Sequence, residues 1–101
     1  MTDDELKKTA LEFRIGLLCG RRTARGMCFA VSWPLCGLLR HYMVKARLTS
    51  CVVDETEHWF ITLHGGIILD ATADQFKTPD GGRMPKVYLG KRPAWYRRRR
   101  Q

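Results

Sequence analysis

No stretch of the chain approaches the roughly 18 consecutive apolar residues of a membrane span. The opening MTDDELKKTALEFR is charged where a secretory leader carries its apolar region. A soluble, cytoplasmic protein with no membrane partner is therefore expected. The four cysteines, Cys19, Cys28, Cys36 and Cys51, lack both the close paired spacing of a zinc knuckle and the density of a secreted disulfide scaffold. Reduced thiols are the expectation. There is no internal repeat, and no low-complexity segment apart from four consecutive arginines. Acid is missing from residues 91 to 101, which hold six of the eighteen basic residues, leaving twelve basic against ten acidic in residues 1 to 90. The formal charge of +8 thus belongs mostly to a tail, not to the body.

What is present suits one small domain with one core: 101 residues, 45% of them hydrophobic. The charge distribution divides the chain into a single domain over 1 to 90 and a basic C-terminal tail over 91 to 101, with WYRRRRQ exposed. TDDELKKTALEFRIGLLCG fits a first helix. Thr2 or Asp3 can cap it, Asp4 and Glu5 suit its positive end, and Gly20 is a stop. Leu6, Ala10, Phe13 and Leu17 recur at helical spacing. After the polar RRTARG, Met27 to Tyr42 is apolar enough for a buried helix. Pro34 either kinks that helix or marks a second start capped by Ser32. In both cases Cys28 lies at or just before a helix N-terminus.

From Ala46 the period changes. ARLTSCVV and EHWFITL alternate and are rich in β-branched and aromatic residues, GIILDAT follows HGG, and VYLG makes a short last strand after the loop KTPDGGRMPK. Helices followed by an antiparallel sheet define an α+β fold.

Three residues carry candidate chemistry. A cysteine attacks carbonyl carbon as thiolate, and a helix N-terminus with a neighbouring imidazolium lowers its pKa from about 8.5. Cys28 is placed for the first effect. His58, in a strand, is the histidine a scaffold can hold rigidly, whereas His64 sits in a turn and His41 near a helix end. Asp70, ending GIILD, can orient the imidazole through its other ring nitrogen. Register provides the condition: a three-residue loop His64-Gly65-Gly66 sets Leu63 opposite Ile67 and Phe60 opposite Asp70, so that His58 and Asp70 share a face. A two-residue loop without a bulge would separate them.

The run GMCFAVSWPLCGLLRHYMVKARLTSCVV followed by EHWFITLHGGIILDATADQF resembles the core of transglutaminase-like and papain-like cysteine enzymes. In those enzymes a cysteine opens a helix packed on an antiparallel sheet, while histidine and aspartate come from adjacent strands. HWF and DAT carry the match, which spans residues 26 to 76. The resemblance implies a Cys28-His58-Asp70 triad acting on a peptide or side-chain amide through an acyl-enzyme, as a peptidase, deamidase or transglutaminase-like enzyme. Backbone N–H groups around Cys28 would serve the oxyanion. Such chemistry needs no cofactor, and none is expected.

Blander readings accompany these. Cys19, Cys36 and Cys51 read as small hydrophobes. Asp70 can simply end a strand and cap the turn into ATADQF, with Asp74 as the reserve orienter and Gln75 bonded to nearby backbone. Trp33, Trp59 and Phe60 read as core, Trp59 alternatively as a cleft wall. Cys28, His58 and Asp70 are chemically able to bind zinc but lack a fourth ligand, so no metal is expected. The alternative function is a non-catalytic basic binding protein whose Arg97, Arg98, Arg99 and Arg100 hold nucleic acid or an acidic partner, with Trp95 and Tyr96 stacking on bases.

Overall fold

A computed structural model describes residues 1 to 20 and 24 to 98. Helix α1 spans Asp3–Leu18 and starts from a reciprocal capping box. The Glu5 N–H donates to Thr2 Oγ1 at 3.2 Å and the Thr2 N–H to Glu5 Oε1 at 2.9 Å. The helix ends two residues before the expected glycine, because Cys19 itself turns left-handed at φ 49°. Its buried stripe is Leu6, Ala10, Arg14 and Leu18. This corrects the expected Phe13 and Leu17: Phe13 packs only partly against the core and Leu17 is exposed. An arginine enters the stripe because a carboxylate and two carbonyls meet it inside.

Helix α2 spans Cys28–His41 and is continuous through Pro34. Ser32 is not a second cap; it is buried and its hydroxyl donates to the Trp59 carbonyl at 3.1 Å. Proline is tolerated because it lies on the exposed side, as does Ala30, whose carbonyl loses the N–H partner that proline lacks. Water can satisfy that oxygen. Val31, Leu35, Cys36 and Leu39 form the buried face.

Strands β1 (Arg47–Val53), β2 (Thr56–Thr62), β3 (Ile67–Asp70) and β4 (Tyr88–Lys91) form one antiparallel sheet in sequential order. Asp54 and Glu55 join β1 to β2 with φ of 49° and 62°, the two positive values that a tight two-residue hairpin requires. The β2–β3 connection is the three-residue His64–Gly66 loop. Ile61 faces Leu69, Thr62 faces Ile68, and the Leu63 N–H donates to the Ile67 carbonyl at 2.7 Å. That register puts His58 and Asp70 on the same face.

Alternation divides the sheet cleanly. Leu48, Ile61, Leu69 and Leu89 face α1 and α2, while Cys51, Val53, Phe60 and Ile68 build a second cluster on the opposite face. This second cluster is closed by the segment after β4, which corrects the expected division at residue 91. Lys91 belongs to β4, Tyr96 is 2% exposed, and Arg97 exchanges backbone hydrogen bonds of 2.8 and 3.0 Å with Val52. Residues 92 to 97 are therefore a strap across the sheet, not an exposed tail. Arg92 fastens it from within: its guanidinium lies 5.3 Å from the Phe60 ring centre and its Nε donates to the Tyr96 carbonyl at 3.1 Å. The Arg97 and Arg98 side chains remain exposed; Arg99 and Arg100 lie outside the described residues. Among the described residues no helix is long and apolar enough to cross a membrane.

Candidate active site

The site forms where the sheet splits. Beyond the Ile61–Leu69 pair, β2 has no ladder partner on its β3 side. Val52 turns its N–H and C=O outward to Arg97, so by the alternation of an antiparallel ladder Ser50 also points outward, and its partner Trp59 faces away from β1. The first turn of α2 fills the gap. The Trp59 N–H donates to the Cys28 sulfur, and the Trp59 carbonyl accepts from Ser32. A strand edge is thus satisfied by a helix N-terminus, and the thiol is fixed in the process.

Cys28 is the first residue of α2, and no side chain caps that end. The helix therefore presents unpaired N–H groups there, and the Phe29 N–H donates to the sulfur. Gly26, at φ 76°, supplies the left-handed turn that brings the chain into the helix.

His58 is fully buried and its Nε2 lies 2.6 Å from Asp70 Oδ2. Nε2 is taken by Asp70, the Gln75 amide nitrogen lies 3.3 Å from Nδ1, and the imidazole also interacts with the Cys28 thiol. Phe76 and Tyr96 stand edge-on to the imidazole at 4.7 and 5.3 Å. The ring has little room to turn.

Asp70 is also fully buried, and each of its oxygens has two donors. Oδ1 accepts from the Thr72 N–H at 3.0 Å and the Thr72 hydroxyl at 3.3 Å; Oδ2 accepts from His58 and from the Tyr96 hydroxyl at 2.6 Å. One oxygen of Asp70 thus holds the turn and the other faces the imidazole and the phenol.

Electrostatics follow from this packing. Burial pushes the Cys28 thiol up, but hydrogen bonds from His58 and the Trp59 N–H, with the His58 charge, outweigh it and leave the pKa below its ordinary value. Burial pushes His58 down, yet the Asp70 and Cys28 contacts overcome it and raise the imidazole to about 9. Both shifts favour a thiolate beside an imidazolium over the neutral pair. The other buried thiols move the opposite way: burial raises Cys36, and it raises Cys51 to about 12. Cys19 is exposed, which corrects its reading as a buried hydrophobe.

Asp74 is not a reserve orienter. It forms a two-pronged ion pair with Arg14, at 2.6 and 2.7 Å, and Arg14 also donates to the carbonyls of Ala71 and Lys86 at 3.0 and 3.1 Å. This pair ties the 71–75 segment to α1. Gln75 bonds to nearby backbone through its own N–H, which donates to the Thr72 carbonyl at 3.3 Å, while its side-chain amide nitrogen lies 3.3 Å from His58 Nδ1 and 3.1 Å from Thr72 Oγ1. Trp33 is 63% exposed rather than core, and it forms an aromatic cluster with Phe29, the neighbour of Cys28, and the half-buried Trp59, the neighbour of His58. Ring centres are 5.6 Å apart for Phe29–Trp33 and 5.2 Å for Phe29–Trp59. Phe60 is core, as expected. His41 is at the far end of α2, about 20 Å from Cys28 at 1.5 Å per residue. Among the described residues no group of three or more His, Cys, Asp or Glu side chains is arranged to hold a metal ion.

Comparison with family models, with curated proteins and with solved structures finds no match to the chain. The members missed from sequence are Tyr96, Thr72 and Gln75. The WY pair before the arginines was the available signal for Tyr96, and its basic surroundings masked it.

Proposed function

We propose that the protein is a cysteine-dependent amide hydrolase or acyl transferase, working through an acyl-enzyme on Cys28. The observation that carries this reading is the buried His58–Asp70 contact of 2.6 Å, with its imidazole bonded to a thiol at a helix N-terminus. The Cys28 thiolate attacks the amide carbonyl, and the oxyanion forms beside the N–H groups of the α2 first turn. His58 Nδ1 gives its proton to the departing amine, leaving a thioester on Cys28. Water or a second amine, deprotonated by Nδ1, then attacks the thioester and releases free acid or a new amide. Asp70 holds Nε2–H throughout and keeps the ring in one orientation. Neither step requires a cofactor.

The alternative, binding of nucleic acid or an acidic partner through Arg97 to Arg100, has less support. Tyr96, one of the two rings expected to stack on bases, is 2% exposed and its hydroxyl is bonded to Asp70.

The test is exposure to p-nitrophenyl acetate near pH 7 followed by mass spectrometry of the intact and digested protein. The expected result is an acetyl group on Cys28, absent in His58→Ala. Acetylation of Cys19 at an equal or greater rate would refute the reading.

A further inference from the structure

Resting on that catalytic reading, we infer that Tyr96 is a positioning residue of the site, delivered by the C-terminal strap to fix the carboxylate that orients His58. Asp70 Oδ2 receives two donors at 2.6 Å, His58 Nε2 and the Tyr96 hydroxyl, and the Tyr96 ring stands edge-on to the imidazole at 5.3 Å. One side chain thus holds both partners, the carboxylate by its hydroxyl and the imidazole by its ring edge. A tyrosine serving only as apolar filling has no need to place its hydroxyl on a carboxylate that already has three donors. Its own position is set by the strap: its N–H donates to the Pro93 carbonyl at 3.0 Å, its carbonyl accepts from Arg92, and the next residue pairs with β1.

The phenol also limits the pull of the carboxylate. A donor aimed at Oδ2 places a partial positive charge beside the imidazolium and disfavours it. The ionisable groups packed around this centre are Cys28 from α2, Cys51 from β1, Tyr88 from β4, and Arg92 from the strap. None of these is altered by removing one hydroxyl. Tyr96→Phe therefore isolates the phenol, and the sign of its effect is fixed: without it the His58 proton is held more tightly.

The test is an NMR titration of the His58 imidazole in wild type, in Tyr96→Phe, and in protein carrying 3-fluorotyrosine at position 96, whose more acidic phenol is a stronger donor. The phenylalanine variant is expected to titrate at higher pH by about half a unit or more, and the fluorinated protein at lower pH than wild type. Opposite shifts are beyond a purely structural role, which loosens the site in one direction. If Tyr96→Phe does not fold, the fluorinated protein alone decides, since its shape is nearly unchanged. No movement in the fluorinated protein, or movement of both variants in the same direction, overturns the inference. The two claims separate cleanly: shifts without acetylation of Cys28 keep Tyr96 and refute catalysis, whereas acetylation without shifts does the reverse.

Discussion

Replacing Arg14 by methionine tests how the 71–75 segment is held in place. The guanidinium makes two bonds to Asp74 and one each to the Ala71 and Lys86 carbonyls, and its side chain is only 5% exposed. Methionine fills the space but leaves a carboxylate and two carbonyls without donors. Removing one member of a buried pair costs about 3–5 kcal/mol. The Asp74 side chain is 21% exposed and can recover some hydration, so the lower end, about 3 kcal/mol, is expected. For a domain of this size that corresponds to a fall in Tm of roughly 12–24 °C. The assay is thermal and urea unfolding of Arg14→Met, Asp74→Asn and the double variant. Asparagine keeps one acceptor and leaves the carbonyl bonds intact, so that single change is expected to cost about 1–2 kcal/mol. The double variant should fall clearly short of the sum of the two. A drop of only a few degrees in Arg14→Met, or additivity within about 0.5 kcal/mol, would refute the argument that this pair anchors the segment carrying Thr72 and Gln75.

Other predictions concern the site and its support. The His58 proton is linked to folding: its pKa is raised from 6.5 to about 9, so the stabilisation is fully present below pH 6.5 and disappears as pH rises through 9. The stability advantage of wild type over His58→Gln in urea is therefore expected to shrink between pH 6 and 9.5, though by less than His58 alone would give, because the lowered Cys28 pKa contributes stability of the opposite pH dependence; an advantage that grows with pH contradicts it. Asp70→Asn removes the charge that sustains the imidazolium, and iodoacetamide labelling of Cys28 at pH 6 is expected to fall roughly 10- to 100-fold, with unchanged labelling as the contrary result. Ser32→Ala leaves the Trp59 carbonyl without its donor and is expected to cost about 1–2 kcal/mol in unfolding experiments. Pro34→Ala restores a helix N–H opposite an exposed carbonyl and is expected to raise Tm while leaving Cys28 labelling unchanged.

The architecture was legible where the signal was local. Thr2 and Glu5 announced the first helix, Gly65 and Gly66 announced the loop, and the loop length fixed the parity of His58 and Asp70 across two strands. What was not legible depended on distant partners. Nothing adjacent to Arg14 says that its charge is met by Asp74, sixty positions away, and apolar spacing alone points to Phe13 instead. Trp33 looked like core because it is aromatic and helical, but it falls on the exposed side of α2 beside Phe29. Position 96 was concealed by charge: arginines that follow a tyrosine suggest solvent, while the backbone of Arg97 is pinned to β1 and the tyrosine is drawn under the sheet.

The strap has a consequence for the order in which the protein comes into being. Synthesis runs from Cys28 to His58, then Asp70, and reaches Tyr96 only after the sheet residues have been made. At roughly 5–20 residues per second, several seconds separate the first of these from the last. During that interval β1 has an open outer edge at Val52, and the carboxylate lacks its fourth donor. Water must satisfy both the strand edge and the carboxylate until residues 92 to 97 have emerged and closed over the sheet, so the second apolar cluster is the last part of the fold to be covered.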